Sequence, residues 1–116
     1  MQRLAVLALV TACCFSRIVW AEHGAPPAPG QPLIIDVRTP GEYQMAHVRE
    51  AVNIPYDEIA GRIAAVVPDH DASIVLYCRS GHRSGIAEQT LRKLGYHQVV
   101  NGGGLNSMLR NGYRTH

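Results

Sequence analysis

Net charge is almost missing from this sequence, and what little there is lies in the wrong place. The 116 residues carry 11 basic and nine acidic side chains. If residues 1–21 are removed as a leader, Arg3 and Arg17 go with them, leaving nine basic (11 − 2) against nine acidic and a net charge of zero. A nucleic-acid partner then has no electrostatic basis. A membrane-spanning run is also missing, because the apolar stretch from Leu4 to Phe15 is shorter than the about 20 residues a helix needs to cross a bilayer. Cysteine is scarce. Of three cysteines, Cys13 and Cys14 lie in the leader and only Cys78 remains beyond it. No internal disulfide can form, and no second thiol is at hand to resolve a mixed disulfide, which argues against a protein disulfide oxidoreductase. With 47% hydrophobic residues the chain is neither a disordered tail nor a collagen. It has the length and composition of one ordinary domain.

Residues 1–21 have the parts of a signal peptide: a basic n-region at Arg3, the apolar stretch, and small residues at Val19 and Ala21 ahead of a cut before Glu22. The expected location is therefore the periplasm. A second reading takes Val10-Thr11-Ala12-Cys13 as a lipoprotein box, with Cys13 acylated; a membrane enters only in that case. Residues 22–32 contain Pro26, Pro27, Pro29 and Pro32 with Gly24 and Gly30, the composition of an extended linker. The domain is expected over residues 33–116.

Within it, strand and helix signals alternate. Leu33 to Val37 and Ser73 to Tyr77 are apolar runs rich in β-branched residues, and Val52 to Ile54 and Gln98 to Val100 are weaker ones. Runs without a period of two suggest strands buried on both faces, as in a parallel sheet. Thr39-Pro40-Gly41-Glu42 predicts a capping box at a helix start. Asp57 is expected to cap a second helix with Ile59, Ile63, Val66 and Val67 on one face, stopped by Pro68. A third is predicted from about Ser84 to Leu94, with Ile86, Ala87, Thr90, Leu91 and Leu94 toward the sheet, Arg92 and Lys93 in its last turn and Gly95 closing it. The class is α/β.

The chemistry is expected at Cys78-Arg79-Ser80-Gly81-His82-Arg83-Ser84, which puts the cysteine at the carboxyl end of a buried strand and just before a helix N-terminus. Converging backbone N–H groups, the helix dipole, Arg79 and Arg83 would all favour thiolate over thiol. Gly81 allows the backbone conformation that such a cradle needs. His82 by itself reads as a solvent-facing side chain.

Taken in order, Asp36-Val37-Arg38, Pro40-x-Glu42-Tyr43, His47 to Pro55, the Cys78 to Ser84 loop, Gly103-Gly104-Leu105 and Gly112-Tyr113 resemble the rhodanese family. With an exported leader, the chain is most similar to the small single-domain periplasmic thiosulfate sulfurtransferases. The resemblance implies a parallel five-stranded sheet flanked by helices on both faces and a cysteine that cycles through a persulfide. It also implies a small-molecule sulfur donor such as thiosulfate and a thiol or cyanide acceptor. It makes Cys78 the sulfur carrier and Arg79, Ser80, Gly81, His82 and Arg83 its cradle. Asp36 lies on the neighbouring strand end, with Arg38 as its supporting partner. No cofactor or metal is expected. Met108 departs from the pattern, standing where the family often has tryptophan, and this leaves the packing of the last helix open.

A carboxylate beside a thiolate would raise the thiol pKa, so Asp36 is read as an orienting partner and not as a catalyst. His47 reads as a packing residue and Arg49 as an ordinary surface arginine. Asn101 to Gly104 lacks the lysine and the flanking pattern of a P-loop. Two other classes stay open: a cysteine phosphatase or arsenate reductase, and a non-catalytic binding module of the same fold. Against the first stands loop length. Four residues separate Cys78 from Arg83, whereas tyrosine and dual-specificity phosphatases have five, and the position that would hold their arginine is Ser84. A shorter ring of N–H donors suits a single sulfur atom better than a phosphoryl group.

Overall fold

The computed structural model describes residues 30–116, so the leader and most of the linker lie outside the described residues. The elements are β1 (Leu33–Asp36), α1 (Pro40–Met45), β2 (Val52–Asn53), α2 (Ile59–Val66), β3 (Ile74–Cys78), α3 (His82–Lys93), β4 (Val99–Gly104) and α4 (Leu105–Arg110). All strand pairings in the sheet are parallel, in the order β2-β1-β3-β4. Four strands are present among the described residues where five were expected, because the other apolar stretches of this region fold as helix or connecting loop.

Alternation along β1 and β3 divides the core in two. Leu33, Ile35 and Val37 join Ile74, Leu76 and Cys78 against Ile59 and Ile63 of α2 and Ala87 and Leu91 of α3. On the other side Ile34 and Tyr77 pack with Val48, Ala51 and Met108 of α4, flanked by Tyr43 of α1. Both central strands are thus covered on both faces, which is why they read as continuous apolar runs. Met108 fits because Gly102 is bare: a Cβ at that glycine would lie 2.6 Å from the Met108 sulfur. Methionine at 108 is therefore packed into the core, at 1% exposure.

The helix ends correct two expectations. The capping box at Thr39 and Glu42 is formed. The second helix, however, is preceded by Glu58 in a helical conformation with no side-chain cap, and Asp57 does not cap it. A turn closed by the Glu58 N–H donating to the Pro55 carbonyl leads directly into the helix and leaves no extended cap position at Asp57. α3 begins two residues earlier than the pattern suggests, and Ile86 and Leu94 lie exposed at 40% and 42%. Its buried stripe is Ser84, Ala87 and Leu91, narrower than predicted because it packs beside an edge strand.

The sheet order changes direction between β1 and β3, and open α/β sheets place ligands outside the carboxyl ends of their strands at such a point. A buried polar cluster ties those two ends together. Asp36 takes a bidentate pair from Arg38, with contacts of 2.6 to 3.0 Å. The Tyr77 hydroxyl donates to Asp36 Oδ2 at 2.8 Å and accepts from the Val48 backbone N–H at 2.9 Å. Tyr77→Phe would leave that buried N–H without a partner, so it should destabilise the protein by about 1–3 kcal/mol in chemical denaturation.

Candidate active site

Cys78 ends β3 with its side chain on the α2/α3 face and is 1% exposed. Gly81 then takes φ 101°, the left-handed region, and turns the chain into α3 as its N-cap without any side-chain cap. The first N–H groups of α3 are therefore free to face the sulfur. The Gly81 N–H donates to Cys78 Sγ at 2.9 Å, and the Ser84 hydroxyl lies 3.6 Å from it. Burial pushes the Cys78 thiol pKa up, but hydrogen bonds from the Ser84 side chain and from the backbone of Ser84, Ser80 and Gly81 outweigh it. The net result is a pKa below the ordinary cysteine value.

The loop is held from outside by β4. The β3–β4 pairing shifts register between Leu76 and Cys78, which places Gly104 opposite Cys78. Gly104 lies so close to the Arg79 carbonyl and the Ser80 Cα that no Cβ fits there. Asn101 secures the far side: its Oδ1 accepts from the Gly103 N–H at 2.9 Å and lies 2.7 Å from the Ser84 hydroxyl oxygen, while its Nδ2 donates to the Gly81 carbonyl at 3.1 Å. The Asn-Gly-Gly-Gly run is a strand end built for close approach, not a phosphate loop.

The other expected residues divide by face. Asp36 and Arg38 are buried, but the Asp36 side chain points with Tyr77 to the α1/α4 side, so its carboxylate is turned away from the Cys78 sulfur. Arg79, Ser80 and His82 are exposed, and Gly81 and Arg83 are half-buried. Among the described residues no carboxylate pairs with Arg79. Beside it opens a pocket of about 640 Å³ whose lining includes Arg38, Glu42, Met45, Arg79 and Leu105. Arg83 does not point freely into that space: both its terminal nitrogens donate to Glu42, at 2.9 and 3.0 Å. Arg49 lies at the surface and donates to the Thr115 carbonyl. His47 stacks on Tyr43 and contacts its carbonyl through Nδ1, a packing role.

Sequence reasoning missed three participants. Glu42 was legible as a capping residue but not as the partner of Arg83. Asn101 had only its place in a glycine run to mark it. The Tyr77 hydroxyl, in a run otherwise apolar, was the one polar atom that called for a buried partner.

Residues 20–109 match the family model described as a rhodanese-like domain. The chain is 46% identical over 74 residues to the thiosulfate sulfurtransferase PspE of Escherichia coli, covering 64% of this chain and 71% of that protein. It is 37% identical over 81 residues to a sulfurtransferase of Allochromatium vinosum, covering 69% and 74%. Among solved structures, a rhodanese with anions from E. coli is similar with a TM-score of 0.69 and 40% identity, over 74% of this chain and 98% of that one.

The Glu42–Arg83 pair has a signature in acid. The hydrogen bond from Arg83 is the main cause that holds the Glu42 carboxyl at a pKa of about 2, against an ordinary 4.5. A carboxylate with a lowered folded-state pKa stabilises the protein above its unfolded pKa and loses that contribution as pH falls through the folded value. The stability difference between wild type and Glu42→Gln, read from denaturation midpoints, should be constant above pH 4.5 and shrink toward zero near pH 2. A difference independent of pH would contradict the pairing.

Proposed function

This chain belongs to the rhodanese family and is a sulfurtransferase of the thiosulfate type, and on that premise we propose that Cys78 is its sulfur carrier. The observation that carries the proposal is the Cys78 sulfur at the centre of a ring of donors, with its pKa lowered despite burial. The thiolate attacks the outer sulfur of thiosulfate. The S–S bond of the donor breaks, sulfite leaves with its electron pair, and Cys78 becomes a persulfide whose outer sulfur faces the loop N–H groups. Cyanide or an acceptor thiolate then attacks that outer sulfur, and Cys78 leaves as thiolate. No general base is needed, since the nucleophile is already favoured in its ionised form.

Arg79 is the residue we assign to the sulfonate end of the donor, supported by its exposure, its freedom from any described carboxylate and its place on the pocket wall. Ser80, Gly81 and His82 contribute backbone to the cradle, while Asp36 and Arg38 brace it from the opposite face of the sheet. The partners are thus a small anionic donor and a thiol or cyanide acceptor. We also propose that the protein works in the periplasm, freed by a cut after Ala21, with residues 22–32 as a linker. The support is the sequence of the leader alone. N-terminal sequencing of the exported protein should begin at Glu22, and a chain beginning at an acylated Cys13 would make it a tethered lipoprotein instead.

Cys78→Ser should abolish thiocyanate formation from thiosulfate and cyanide while the protein stays folded, because the hydroxyl remains protonated near neutral pH. Substantial transfer by the folded serine variant would overturn the assignment. Arg79→Ala should raise the thiosulfate KM by about tenfold or more, the loss of a charge-assisted contact of ~1.5–3 kcal/mol. Hydrolysis of an aryl phosphate through Cys78 at a rate like that of sulfur transfer would favour the phosphatase reading.

A further inference from the structure

Three guanidinium groups surround the cradle, and two are already matched. Arg38 is buried against Asp36. Arg83, in the first turn of α3, holds both oxygens of Glu42, with the two side chains only 25% and 27% exposed. The carboxylate is not free to swing away. Glu42 Oε1 also accepts from the Thr39 backbone N–H and the Thr39 hydroxyl, each at 3.1 Å, so the capping box of α1 locks it in position. Of these three, only Arg79 has no carboxylate partner among the described residues. The loop therefore presents one net positive charge to an incoming anion, although its sequence contains two arginines.

We propose that Glu42 tunes the donor site by occupying Arg83, which limits how tightly the site holds dianions, thiosulfate and departing sulfite included. The proposal rests on the reading of Cys78 as the sulfur carrier. A ring of N–H donors flanked by two free arginines would bind sulfate, phosphate and the departing sulfite as well as it binds thiosulfate. With Arg83 cancelled, tight binding is given up. The dianionic product then leaves readily, and because every dianion is weakened alike, discrimination falls to the sulfane sulfur that thiosulfate offers to Cys78. This explains a carboxylate fixed at the mouth of a site for anions, which donor binding alone would disfavour.

Glu42→Gln separates this role from helix capping, because glutamine serves equally at the third position of a capping box. The variant should lower the thiosulfate KM about three- to tenfold through tighter anion binding, while kcat falls by a smaller factor because sulfite release is slowed. A second readout needs no turnover. The ratio of Cys78 alkylation rates by anionic iodoacetate and neutral iodoacetamide cancels thiol reactivity and reports the local field, and it should rise by a similar factor. Glu42→Asp, which keeps the charge, should stay within about twofold of wild type. In an Arg83→Ala background Glu42→Gln should shift both readouts by a clearly different factor than it does alone, as a coupled pair requires. A folded Glu42→Gln protein with wild-type KM and wild-type alkylation ratio would overturn the proposal. If wild type transfers no sulfur through Cys78, the carrier reading fails, while the alkylation ratio still tests Glu42.

Discussion

Burial opposes a thiolate at Cys78, and the structure depends on overcoming that opposition with hydrogen bonds. A sulfur at 1% exposure would ordinarily be a protonated, inert piece of core. Here the donors of Ser80, Gly81 and Ser84 outweigh the desolvation and bring the pKa below its ordinary value. Each donor depends on something larger. Gly81 must adopt its positive φ, α3 must start immediately after it, and β4 must approach closely enough to fix the loop backbone. The glycines at 102 and 104 belong to the site as much as the cysteine does, since one admits Met108 and the other admits the Arg79 carbonyl.

The second constraint is charge. A carboxylate on the neighbouring strand end would work against the thiolate if the two faced each other. The period of two along parallel strands prevents this: Asp36 shares a face with Tyr77, and Cys78 with Leu76. Asp36 is then neutralised by Arg38 and serves to hold β1, β3 and the segment leading to β2 in register through the Tyr77 hydroxyl.

Most of this was legible in the sequence where local rules decide. The capping box, the two central strands, the cysteine at a strand-to-helix junction and the left-handed glycine follow from residue types at fixed spacing. The reading fell short where distant parts of the chain meet. Asp57 had the right residue type for a cap, but a turn from Pro55 set the helix start. Ile86 and Leu94 had helical spacing, yet α3 packs beside an edge strand and leaves them exposed. Glu42 and Arg83 lie 41 positions apart, so no local pattern joins them. Asn101 gained its role only from the register shift that brings β4 against the loop.

The central claim is that Cys78 carries sulfur covalently between donor and acceptor. The most direct test is the intact mass of the protein after brief exposure to thiosulfate and removal of the excess. The account predicts a gain of one sulfur atom, localised to the peptide containing Cys78 and lost on addition of cyanide with formation of thiocyanate. An unchanged mass in protein that is turning over thiosulfate, or a sulfur adduct that cyanide does not remove, would contradict it.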